Sequence, residues 1–178
     1  MTRNQHNDRT DRTRQYQPTR THDTPSMPPI DTNDPTDRTV DATTTVAFVC
    51  VRNAGRSQMA TAFAERERAE RNLENDIAIV TGGTDPADDV HDVVVDALDE
   101  VGLDVNGRNP RRIDESVLAE CDVVATMGCS TLDLDGVENV DWDLEDPGEK
   151  ELAEVKAIRD EVEQRVIELF DELSERIK

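Results

Sequence analysis

The sequence predicts an α/β domain in which a parallel sheet is covered by helices on both faces. Three observations carry that expectation. Short apolar runs of strand length alternate with longer stretches that are apolar on one helical face. The chain has 178 residues, enough for one domain with a buried core and little more. A loop between the first apolar run and the following helix gathers the residue types of an anion site.

The elements follow in order. Val46–Cys50 is an apolar run that fits a strand buried on both faces. A helical stretch follows, with Met59, Ala62, Phe63, Ala69 and Leu73 mostly on one face. Ile77–Val80 reads as strand two, ended by Gly82 and Gly83. Asp85 and Pro86 then supply an N-cap and a proline at the first helical position. Val90, Val94, Ala97, Leu98 and Val101 form the stripe of that helix, with Gly102 as its C-cap. A short helix carries Ile113, Val117, Leu118 and Cys121, and Val123–Thr126 is strand three. Val140–Trp142 is a shorter strand four. A last helix runs from about Glu149 to Ile177, with Leu152, Val155, Val162, Val166, Leu169, Leu173 and Ile177 inward. Right-handed crossovers place the carboxyl ends of all strands along one edge, where such folds bind ligands.

Residues 1–43 are of different composition, rich in Thr, Asp, Arg, Asn, Gln and Pro. They cannot bury enough apolar surface to offset their ordering entropy, so a disordered tail is expected, with the folded domain at 44–178. A recognition tail is one reading of it. A spacer, or a chain whose true start is Met27, is the favoured one.

The whole chain carries 20 Lys+Arg against 41 Asp+Glu, a formal net charge of −21. The tail holds six Arg and seven Asp, so nearly all of that charge belongs to the domain. Such acidity argues against a nucleic-acid partner, since phosphate neutralisation supplies most non-specific affinity. No apolar run exceeds Val46–Val51, so neither a membrane span nor a secretory signal is expected. Three cysteines make no disulfide framework and suggest a reducing, cytoplasmic setting. His6, His22 and His91 offer no metal-ligand spacing, and no metal site is expected. Lysine is scarce, with only Lys150, Lys156 and Lys178 among the basic residues. An acid-rich, Lys-poor surface fits a halophilic protein, because at roughly 1 M salt the Debye length is about 3 Å and self-repulsion is screened.

The chemistry is concentrated in Cys50-Val51-Arg52-Asn53-Ala54-Gly55-Arg56-Ser57, directly after strand one. A loop entering a helix turns several N–H groups toward one point, and the helix dipole adds positive potential there. A tetrahedral oxyanion would sit in that cradle, with the Arg56 guanidinium on two of its oxygens. The same field favours the thiolate of Cys50. Ser57 can hydrogen-bond that thiolate, and Asn53 can hold the loop by bonding its own backbone. A buried core cysteine beside an unrelated arginine is the competing reading. Asp146 lies in Trp142–Gly148, just past strand four on the same edge, and is placed to protonate a departing oxygen. An Asp-Pro pair is also an ordinary turn signal. The coincidence of both elements on one edge favours catalysis.

Taken together, the strand VAFVC, the loop CVRNAGRSQMA, the segment GTDPADDVHDVVVDALDEVGLD, the strand DVVATMGC and the segment DWDLEDPGEKELAEVKAIRDEV resemble the low-molecular-weight protein tyrosine phosphatase superfamily. Within it they are most similar to its arsenate reductases. The resemblance spans roughly residues 45–175. It implies a three-layer α/β/α fold with a four-stranded parallel sheet, nucleophile Cys50, anion-binding Arg56, thiolate-supporting Ser57, loop-shaping Asn53 and general acid Asp146. It also aligns Cys129, just past strand three, with the reductases' resolving cysteine.

Two features bear on the substrate. Family phosphatases often carry a Tyr after Asp-Pro to clasp an aromatic ring; here Gly148 stands there, and Tyr16 is the chain's one tyrosine. Attack of Cys129 on a Cys50–arsenate adduct would release arsenite and leave a disulfide. The further cysteine that many relatives carry beyond this position is missing from Ser130–Asp133, and a strand's length separates Cys121 from Cys129. The expectation is therefore a thiol-coupled arsenate reductase with no tightly bound cofactor. Its partners are arsenate or phosphate and a thioredoxin- or glutaredoxin-like reductant, or a small thiol. Phosphomonoester hydrolysis is the alternative, and a non-catalytic anion sensor is the third reading.

Overall fold

The computed structural model describes residues 44–129, 132 and 134–178. The expected tail at 1–43 lies outside the described residues. The elements are β1 (Thr44–Cys50), α1 (Arg56–Glu70), β2 (Ile77–Gly83), α2 (Asp92–Asp99), α3 (Glu115–Leu118), β3 (Val123–Met127), β4 (Glu138–Asp141) and α4 (Leu152–Ile177). All three strand pairings are parallel, in the order β2-β1-β3-β4. This is the four-stranded α/β/α arrangement expected.

Period-two alternation along the strands sorts the core into two faces. Val46, Phe48 and Cys50 of β1, with Val123, Ala125 and Met127 of β3, pack against α1, α2 and α4. Ala47, Val49 and Val124 face the other way, toward Ile113, Leu118 and Cys121 around α3. Because β1 is central and almost wholly buried, it reads as a continuous apolar run. β4 is a largely exposed edge strand, which explains its weak signature, Glu-Asn-Val-Asp. Trp142 packs against Phe48 with ring centroids 5.9 Å apart and is 3% exposed, so this aromatic belongs to the core.

Several helix boundaries differ from expectation. Asp85-Pro86 does not start a helix: α2 begins six residues beyond the proline, with His91 at its N-cap. The intervening segment is instead held against the loop after β1 by backbone hydrogen bonds (next section). α1 ends at Glu70, leaving Ala69 exposed and Leu73 beyond it. α4 starts at Leu152 rather than near Glu149, because Glu151 and Glu154 close a reciprocal capping box there. Gly102 does terminate α2, at φ +77°, with Leu103 N–H on Leu98 O and Gly102 N–H on Asp99 O.

Candidate active site

The sheet order turns at β1: the chain leaves it for β2 on one side and later returns to β3 on the other. That reversal opens a crevice at the carboxyl ends of the strands. Cys50, the last residue of β1, is in register with Gly83 and Met127, the last residues of both neighbours. The loop 51–55 then leads straight into α1, whose first turn carries no acidic residue.

Loop carbonyls are turned outward. Cys50 O, Val51 O, Arg52 O and Ala54 O accept from the N–H groups of Thr84, Asp85, Ala87 and His91 at 2.9–3.3 Å. In a planar peptide the following N–H points opposite the carbonyl, so these bonds aim the N–H groups of Val51, Arg52, Asn53 and Gly55 inward. Asn53 N–H reaches Cys50 Sγ at 3.1 Å. These bonds hold the non-helical 84–91 segment along the loop.

Asn53 takes the left-handed conformation, φ 48°, which asparagine tolerates. Contrary to the expectation from sequence, its side chain does not hold the loop by bonding its own backbone. Its Nδ2 donates to Ser57 Oγ (2.8 Å) and Thr81 Oγ1 (3.0 Å), while its Oδ1 accepts from Arg111 N–H (3.0 Å) and Gln58 Nε2 (3.2 Å). With Ser57 Oγ accepting from Asn53, its own hydrogen is free to donate to a Cys50 thiolate, 2.9 Å away. Cys50 is 2% exposed and belongs to the core of one sheet face, yet its sulfur accepts from Asn53 N–H and is in hydrogen-bond contact with Ser57 Oγ.

Arg56 is buried beneath the strand edge rather than turned to solvent. Its Nη1 donates to Leu144 O at 3.0 Å and its Nη2 to Asp146 Oδ2 at 3.3 Å. Asp146, with a side chain 60% exposed, also accepts from Gly148 N–H at 3.0 Å through Oδ1. The turn after β4 is thus brought to the loop after β1. The guanidinium crosses Gly128, which has φ +77°; a Cβ there would stand 2.6 Å from Arg56 Nη1. Gly128→Ala is therefore expected to cost about 1–3 kcal/mol in backbone strain alone. It should also weaken phosphate binding at least tenfold by displacing Arg56, read by calorimetry and by phosphate titration.

Cys129 lies close by but on the other face. The alternation of Val123, Ala125 and Met127 would turn it toward the side of Cys50, but the left-handed Gly128 intervenes. Cys129 packs instead with Val49 and Leu132, its Sγ donating to Val49 O at 3.4 Å. Burial pushes its thiol above the usual range, with the Cys50 and Asp141 charges adding to this and Met127 N–H and Arg56 opposing it. Cys121 is buried and donates to Val117 O, a packing role at a helix end. Arg52 is exposed and paired with Asp85 at 3.0 Å.

Sequence reasoning missed Thr81, Gln58 and His91. Thr81 and Gln58 hold Asn53. His91 lines a cavity of about 620 Å³ at the loop mouth with Arg52, Asp146, Gly148, Glu149 and Lys150. For Thr81 the one available signal is its position on strand two; for His91 it is being the single histidine of the domain.

Known proteins resemble this chain in sequence and in fold. It is 56% identical over 136 residues to a Halobacterium salinarum protein named "Putative arsenate reductase", covering 75% of this chain and 96% of that one. The structure of an arsenate reductase in its phosphate-binding state superposes with a TM-score of 0.63 at 32% identity, covering 73% of this chain and 98% of that one. The thioredoxin-dependent arsenate reductase of Corynebacterium glutamicum matches with a TM-score of 0.61 at 30% identity; the match covers 76% of this chain and 64% of that longer one. Residues 45–178 match the family model, and the chain belongs to the low molecular weight phosphotyrosine protein phosphatase family.

Proposed function

We propose that this enzyme reduces arsenate to arsenite with a thiol reductant, using Cys50 as nucleophile. The observation that carries the reading is the Cys50 sulfur held by two donors at the base of an anion loop, with Arg56 and Asp146 paired at its mouth. The names of the relatives support it. Cys50 thiolate attacks arsenic while Asp146 gives a proton to the departing oxygen, so that water leaves and a Cys50 S–As bond forms. The inward N–H groups of Val51, Arg52 and Gly55 and the Arg56 guanidinium hold the remaining oxygens. Cys129 thiolate then attacks Cys50 Sγ. The S–As electron pair stays on arsenic, arsenite departs, and a Cys50–Cys129 disulfide remains. Two thiols of a thioredoxin- or glutaredoxin-like protein, or a small thiol, restore both cysteines; no other cofactor enters. The setting this reading implies is a reducing cytoplasm at high salt.

The competing reading is phosphomonoester hydrolysis, which the family favours and which shares the first step. Against an aromatic ester stand Gly148, with no ring to clasp the substrate, and Trp142, which is committed to the core. An anion sensor without turnover would leave the Asp146–Arg56 pair without a chemical task.

The deciding assay uses purified protein in high salt, with arsenate and a thiol system, and separately with p-nitrophenyl phosphate. Cys129→Ser should abolish disulfide-linked arsenite release and leave ester hydrolysis intact. Equal arsenite release by that variant would eliminate the internal resolver. The pH dependence follows from the raised Cys129 thiol: its reactive thiolate is scarce below the folded pKa, so disulfide formation should keep accelerating with pH beyond the ordinary thiol range. Stopped-flow quenching of single turnovers reads that step.

A further inference from the structure

His91 bridges the two halves of the site. Its backbone N–H donates to Ala54 O at 3.0 Å, tying it to the anion loop. Its ring passes the loop and reaches the turn after β4: a Cβ on Gly55 would stand 3.6 Å from its Cδ2, and one on Gly148 would stand 3.0 Å from its Nε2. The same point beside Gly148 is 3.3 Å from Asp146 Oδ1. Imidazole and carboxylate thus converge on one spot at the cavity mouth, within reach of a direct contact after a small movement or of one bridging water.

In the structure Asp146 is satisfied by Arg56 and Gly148 N–H. An oxyanion gripped by the Arg56 guanidinium would compete with Asp146 for it. The other cations at the mouth are engaged elsewhere, Arg52 with Asp85 at 3.0 Å and Lys150 with Glu145 at 2.8 Å. Glu149 lines the same cavity, and Asp92 opens α2 beside His91. His91 is the titratable group left to serve Asp146.

We propose that His91 is a positioning residue that takes over Asp146 from Arg56 and returns a proton to it. The proposal rests on Asp146 acting as the proton donor in the reading above. After Asp146 has protonated the departing oxygen, the imidazolium passes its Nε2 proton to the Asp146 carboxylate and becomes neutral. Solvent in the cavity reprotonates it. No oxidant or further reactant is needed.

Two measurements test this on the full-length protein. The His91 imidazole is titrated by NMR, its signal distinguished from those of His6 and His22 by loss in His91→Gln. In saturating phosphate, which engages Arg56, Asp146→Asn, a change at an exposed side chain, should lower the His91 midpoint, because the nearby carboxylate favours the charged ring. In parallel, His91→Gln should reduce phenyl phosphate hydrolysis at least tenfold more than p-nitrophenyl phosphate hydrolysis, since only the poorer leaving group needs a full proton. A midpoint unmoved by Asp146→Asn overturns the proposal whatever the activities are. A moved midpoint with equal losses on both esters overturns the proton return. Absence of turnover on every oxyanion would instead sink the enzymatic reading, and the titration would still report the pairing.

Discussion

Cys50→Ser is expected to abolish arsenite release and ester hydrolysis alike, with turnover falling by at least about 10⁴-fold. The hydroxyl is nearly isosteric and keeps partners in Asn53 and Ser57, so the loop should survive. What disappears is the nucleophile: a serine hydroxyl near neutral pH has almost no anionic form, and neither Asn53 N–H nor Ser57 Oγ, which contact the side chain of residue 50, is a base. Phosphate affinity should stay within a few fold of the parent, because the inward N–H groups and Arg56 are unchanged. Retention of either activity by this variant, with phosphate binding intact, would remove Cys50 from the chemistry.

The second large effect is on Asp146. Asp146→Asn should slow phenyl phosphate cleavage by roughly 10² to 10⁴, the usual contribution of a general acid. Asparagine keeps the side chain's size and can still accept from Gly148 N–H, so the turn after β4 should hold. The substitution also frees Arg56 from its carboxylate, which should leave phosphate binding unchanged or tighter. Weaker turnover with stronger binding separates a lost proton donor from a damaged pocket. Were turnover unaltered, the pairing with Arg56 would be the whole role of Asp146.

The loop itself was legible because its signals are local. A Cys and an Arg six positions apart are a weak signal alone, but their placement between a buried apolar strand and a helix start points to converging N–H groups. The use of Thr81 as a partner of Asn53 and the outward carbonyls of residues 50, 51, 52 and 54 were not legible. Each depends on β2 and the 84–91 segment lying beside the loop. The misplaced start of α2 has the same origin. Asp85-Pro86 has the local chemistry of a helix entry, but the backbone N–H groups of residues 84, 85 and 87 tie this segment along the loop carbonyls, and the helix begins only past them. Cys129 gives the opposite lesson: strand alternation points its side chain toward the Cys50 face, and a single left-handed glycine reverses it.

By itself the sequence determined the layered α/β architecture and the strand–loop–helix order around Cys50–Ser57, because apolar periodicity needs no distant partner to be read. Tertiary structure alone decided that Arg56 meets Asp146 across 90 residues of chain, that Cys129 rests on Val49 O, and that His91 joins the site. Those contacts join segments far apart in sequence. They exist because the parallel sheet gathers the carboxyl ends of its strands at one edge, a consequence of folding that no local pattern encodes.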